Sequence, residues 1–125
     1  MVAIQDRVLV VILSFFVIFV SGFLMSRSGK PFNGLVASIH KLLSLATVVF
    51  LVLLLMQINH LARLGMVEWV ICAVAVLLIV AAIASGSVMM AVESAPAAHL
   101  THRIVPYLAL ISTAAAFWLL FPKLR

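Results

Sequence analysis

Ser21-Gly22-Phe23-Leu24-Met25 is answered 64 positions later by Ser85-Gly86-Ser87-Val88-Met89, and each copy is followed by a second motif, His40-Lys41 in the first case and His102-Arg103, offset by 62, in the second. The two missing residues fall in the connecting loop of the second hairpin, between Met89 and His102. Each motif lies inside a stretch apolar enough to cross a bilayer. The chain therefore reads as one helical hairpin written twice, repeat 1 over about 8–58 and repeat 2 over about 69–121.

Outward from these motifs, the spacing predicts four helices. The first runs from Val8 to Met25 and stops at Ser26-Arg27-Ser28-Gly29-Lys30-Pro31, where polar residues, Gly and Pro interrupt it. Asn33 is the expected N-cap of the second, Gly34 to Ile58. A loop from Asn59 to Glu68 leads to the third, Trp69 to Val92, and Ser94 with Pro96 makes a cap-and-Pro start for the fourth, which ends near Leu120. Arg7 before an apolar run could suggest a secretory signal, but 18 apolar residues without an A-x-A-like cleavage site read as a retained helix.

Composition sets the class. Of 125 residues, 67% are hydrophobic and 9% charged, and the mean hydropathy is +1.39. The lipid bilayer is the expected surroundings. The net charge of +5 comes from eight basic residues against Asp6, Glu68 and Glu93, placed at the ends of apolar runs. Such charges set topology; no basic patch interleaved with aromatics points to nucleic acid. Cys72 is the single cysteine, which excludes a disulfide framework, a C-x-x-C redox pair or a thiolate metal cluster. The expected fold class is all-α: an integral membrane antiparallel four-helix bundle built from two repeated helical hairpins. Because two spans separate the copies, both hairpins point the same way, about a pseudo-two-fold axis along the membrane normal.

Depth follows by counting. Gly22 lies five residues before Arg27 and His40 six after Gly34; Gly86 lies six before Val92 and His102 six after Pro96. At 1.5 Å per residue all four sit roughly 7–9 Å below one membrane face. In an antiparallel ring the second and fourth helices are diagonal, so His40 and His102 are expected to face each other and to hold one haem iron between them. Gly22 and Gly86 then clear space for the porphyrin edge. Lys41, Arg103, Arg27 and Lys30, all at that face, are the expected partners of anionic propionates. Small residues (Ala95, Ala98, Ala109, Thr113 and Ala116 beside His102; Ala37, Ser44 and Thr47 beside His40) leave room along the axis, although small faces are also ordinary membrane packing.

These residues resemble the membrane b-type cytochromes built on a four-helix bundle, including the cytochrome b of the quinol-oxidising bc complexes. The resemblance rests on Gly22, His40, Gly86 and His102 and covers essentially the whole chain. It implies bis-histidine ligation of haem b. Members of that group carry two stacked haems; here Leu53 and Ala115 stand where a second histidine pair would be sought, so one haem b is expected. His60 lies at the opposite interface without a facing histidine.

Alternatives stay beside this reading. A histidine near a membrane helix end is often an interfacial hydrogen-bonding group. His99, one turn before His102, is a propionate or headgroup partner, or the alternative axial ligand. Met25 and Met89 fit gap filling or a His/Met ligand pair. Pro106 removes the helical donor of the His102 carbonyl and bends the fourth helix. His60 and Arg63 read as a solvated turn. With Lys41 and Arg103 reserved for the cofactor, the remaining charges put both termini inside and the haem towards the outer face of a bacterial plasma membrane. The expected function is one-electron transfer with quinol or quinone, a redox partner subunit or a homo-oligomer. A cofactor-free structural or assembly subunit and a haem-based sensor are the alternatives.

Overall fold

Four apolar stretches become four long helices in the structure, a computed structural model that describes residues 4–29, 34–92 and 95–124. They are α1 (Ile4–Ser28), α2 (Gly34–Leu61), α3 (Met66–Ala91) and α4 (Pro96–Leu120), followed by a 3-10 turn, Phe121–Leu124. There is no strand among the described residues. Each helix is long and apolar enough to cross a membrane. The shortest, at 25 residues, spans about 37 Å at 1.5 Å per residue, more than a hydrocarbon core of about 30 Å. The protein is an all-α integral membrane protein.

The helix ends differ from the sequence expectation for local reasons. At its start α1 reaches back to Ile4, where Asp6 occupies the first turn and favours the positive end of the helix dipole. Its other end closes on Gly29, whose φ of 68° is the left-handed conformation that glycine adopts without penalty. The Gly29 N–H donates back to the Met25 carbonyl at 3.1 Å.

The expected loop Asn59–Glu68 shrinks to 62–65. Asn59 and His60 remain helical, and Asn59 Oδ1 accepts from the Leu64 N–H at 3.0 Å, so the turn is tied to the helix it leaves. At the start of α3, Gly65 takes the N-cap position and its N–H donates to the carboxylate of Glu68, the third helical residue. That is the acidic half of a capping box. Asn33, Lys30 and Ser94 lie outside the described residues. The N-cap of α4 is Ala95, without a side-chain bond, rather than Ser94; Pro96 is at N1, where its missing N–H costs nothing.

The chain divides into two compact units, Met1–Leu51 and Val52–Arg125. The division falls inside α2 rather than in the following loop. In the first unit, Ser21 of α1 meets His40 of α2, and Val11, Phe15, Ser21, Met25, Ala37, Thr47 and Leu51 are buried. In the second, the end of α3 meets the start of α4 through Ser85 and His102, and the start of α3 meets the residues after α4 through Glu68 and Lys123. Contacts at both ends make α3 and α4 an antiparallel hairpin. Its buried faces recur every three or four residues: Cys72, Ala75 and Ile79 on α3, and Ala109, Thr113, Ala116 and Leu120 on α4. Residues such as Phe16, Leu35 and Trp118 are exposed, as expected where the solvent for the outer surface is lipid.

Candidate functional site

Four of the intramembrane hydroxyls close locally. Ser14, Ser44, Thr47 and Ser87 each donate to the carbonyl four residues before them, which satisfies the hydroxyl without a second helix. Ser21 and Ser85 do something further. Each donates one turn back within its helix, to Ile18 O and Ala82 O respectively, both at 3.0 Å. Each also meets the histidine of the next helix: Ser21 Oγ lies 2.9 Å from His40 Nδ1, and Ser85 Oγ 3.2 Å from His102 Nδ1.

The proton inventory follows. A hydroxyl has one hydrogen, and in both units it points at a backbone carbonyl, so the oxygen accepts from the ring. His102 Nδ1 additionally lies 2.7 Å from Ala82 O. A carbonyl only accepts, so this nitrogen carries the proton and Nε2 carries the lone pair. His40 reaches the same state through Ser21.

The neighbouring glycines explain how the rings come so close. A Cβ added to Gly22 would lie 3.1 Å from His40 Cε1, and one added to Gly86 would lie 2.8 Å from His102 Cε1. The sequence reading gave these glycines to a porphyrin edge. In the structure the nearest occupant of each notch is the imidazole of the following helix, seated flat against backbone. The repeat thus reappears as a three-residue device, Ser-Gly on one helix and His on the next, built separately in each unit.

The other candidate residues line the same ends of the helices without joining the device. Lys41, His99 and Arg103 are exposed. Of the two histidines on α4, His102 is the one that meets Ser85, Ala82 and Gly86. Arg27 is exposed, its guanidinium 5.9 Å from the centre of the Phe23 ring. Met25 is buried. Helix α4 runs unbroken through Pro106.

Among the described residues no group of three or more His, Cys, Asp and Glu side chains could hold a metal. Each unit instead holds one imidazole protonated at Nδ1. A neutral imidazole whose other N–H is held by a carbonyl or hydroxyl is the form in which histidine ligates metals. Ser21, Ser85 and the Ala82 carbonyl escaped the sequence reading as functional groups. The only signal for them was that serine precedes glycine in both copies. A second cluster was also unread: Lys123 Nζ lies 3.1 Å from Glu68 Oε1 and donates to the Arg63 carbonyl at 2.9 Å. Comparison with protein-family models, with curated proteins and with solved structures finds no match to this chain.

Proposed function

We propose that the protein is a membrane b-type cytochrome that holds one haem b through His40 and His102 and passes single electrons. The observation that carries this reading is the serine contact repeated behind each histidine ring. Each unit presents one imidazole whose Nδ1–H is engaged by a serine, and in one unit also by a carbonyl. That arrangement orients a ligand ring and raises its basicity. Haem, when bound, supplies a reversible one-electron couple, and two histidine ligands leave no open coordination position for oxygen chemistry.

The chain's own residues divide the remaining work. Ser21, Ser85 and Ala82 O hold the Nδ1 protons. Gly22 and Gly86 let the rings approach their neighbours' backbones. Arg27, Lys41, His99 and Arg103 supply donors for propionates near the membrane surface. In this reading both termini are cytoplasmic and the haem lies near the outer face of a bacterial plasma membrane. The electron partner is a quinone or quinol, or a redox subunit.

One observation favours a second reading, a cofactor-free structural or assembly subunit. An imidazole seated in a glycine notch also locks two helices together with no metal present. The test is an absorption spectrum of detergent-purified protein, oxidised and then reduced. A Soret band and a sharp reduced α-band, lost in both His40→Ala and His102→Ala, supports the cytochrome. Folded, colourless protein that takes up no added hemin rejects it in favour of the second reading.

A further inference from the structure

We infer that the turn between α2 and α3 binds the phosphate headgroup of an anionic phospholipid, with Arg63 as the cation that receives it. Sequence alone reads His60 and Arg63 as a solvated turn. The structure sets apolar side chains on both sides of it: Leu61, Met66 and Val67 are 64%, 83% and 67% exposed. Apolar groups presented that fully beside a polar turn place the turn at the boundary between hydrocarbon and headgroups. Trp69 in the first turn of α3 and Trp118 in the last turn of α4 are exposed at the same end, and this boundary is the level at which indole rings settle.

The charges at this end do not cancel. Lys123 is used internally: its Nζ lies 3.1 Å from Glu68 Oε1 and donates to the Arg63 carbonyl at 2.9 Å. Glu68 neutralises Lys123, and its carboxylate also accepts from the Gly65 N–H. The Arg63 side chain is exposed, and its guanidinium makes no hydrogen bond or ion pair among the described residues. Of Arg63, Glu68 and Lys123, one positive charge is therefore left over. Its position is fixed from both sides, because Lys123 holds the Arg63 carbonyl and Asn59 Oδ1 accepts from the Leu64 N–H at 3.0 Å.

A guanidinium at headgroup level with apolar side chains beside it matches the two halves of a lipid: phosphate oxygens for the fork of Arg63, acyl chains for Leu61, Met66 and Val67. A free phosphate ion would use the first half only. The assignment is independent of the haem reading, since His102 lies in the second turn of α4 and Trp118 in its last.

The tryptophans make the test local, because Trp69 and Trp118 are the only two in the chain. The full chain is reconstituted in phosphatidylcholine vesicles, and its fluorescence is quenched by phosphatidylglycerol or by phosphatidylcholine carrying brominated acyl chains. The anionic lipid should be favoured about fivefold, the scale of one basic residue near a charged membrane surface. Arg63→Gln should bring the two lipids to parity, and Arg103→Gln, near the other end of α4, should leave the wild-type preference in place. Parity in the wild type, or a preference that survives Arg63→Gln, overturns the inference. Sodium chloride should weaken the wild-type preference; a preference untouched by salt overturns the inference even if Arg63→Gln does not fold. Potassium phosphate at matched ionic strength should act no more strongly than chloride. Phosphate that removes the preference where chloride does not assigns the turn to a free anion and overturns the lipid assignment.

Discussion

Replacing each motif glycine by alanine should have opposite effects in the two units, and the magnitudes follow from the notch distances. In an unobstructed helix the exchange favours alanine by about 1 kcal/mol. At Gly86 the new methyl would sit 2.8 Å from His102 Cε1, where ordinary contact begins at 3.4 Å. The ring must retreat by about 0.6 Å (3.4 − 2.8). A retreat of that size away from α3 stretches the 2.7 Å bond to Ala82 O to roughly 3.3 Å, beyond the normal N–H···O range. Leaving a buried donor poorly paired costs about 1–3 kcal/mol, and the part-buried His102 Nδ1 falls within the lower part of that range. Against the helix gain, Gly86→Ala should destabilise by about 1 kcal/mol.

At Gly22 the required retreat is about 0.3 Å (3.4 − 3.1), and the 2.9 Å contact with Ser21 stretches only to roughly 3.2 Å, still a hydrogen bond. Helix propensity then wins, and Gly22→Ala should be neutral or more stable by up to about 1 kcal/mol. Equilibrium unfolding in mixed micelles measures both, and the imidazole 15N shifts report whether the ring moved. Gly86→Ala as stable as Gly22→Ala, with an unchanged His102 signal, would refute the idea that the glycines exist to seat the rings.

Thr113 is buried, and its hydroxyl is without a hydrogen-bond partner among the described residues. Thr113→Val should therefore stabilise by about 1 kcal/mol by removing an unpaired polar group; a loss of stability in the same unfolding assay would show that the hydroxyl has a role. Lys123→Met removes both the ion pair with Glu68 and the bond to the Arg63 carbonyl, so it should lower the thermal midpoint more than Glu68→Gln does, and the Glu68→Gln deficit should shrink in high salt. Equal midpoints for Lys123→Met and wild type would contradict this. Asn59→Ala takes away the acceptor for the Leu64 N–H, which should cost about 1 kcal/mol and speed proteolysis within 62–65; unchanged cleavage would mean that the turn is held by something else.

The parts legible in the sequence were those that local chemistry controls. Four spans follow from length and apolarity, and Pro96 marks the first residue of α4 as expected. The helix limits missed by a turn at Ile4, Leu61 and Met66 because polar residues there are helical. Asp6 and Glu68 suit a helix N-terminus, and Asn59 caps the turn after α2 from inside the helix. Reading polar residues as loop was the error. The repeat exposed Gly22, Gly86, His40 and His102 as a set, but what each glycine touches was beyond it: the imidazole of the next helix fills the space that counting had assigned to a flat ligand.

The amino-acid order alone determined an all-α membrane protein of two related hairpins, because crossing a bilayer depends on the length and apolarity of a segment and on little else. Tertiary structure decided which nitrogen of each histidine holds its proton. That depends on the rotation of one helix against another to within an ångström or so, which brings Ser21 to His40 across 19 residues and Ala82 to His102 across 20.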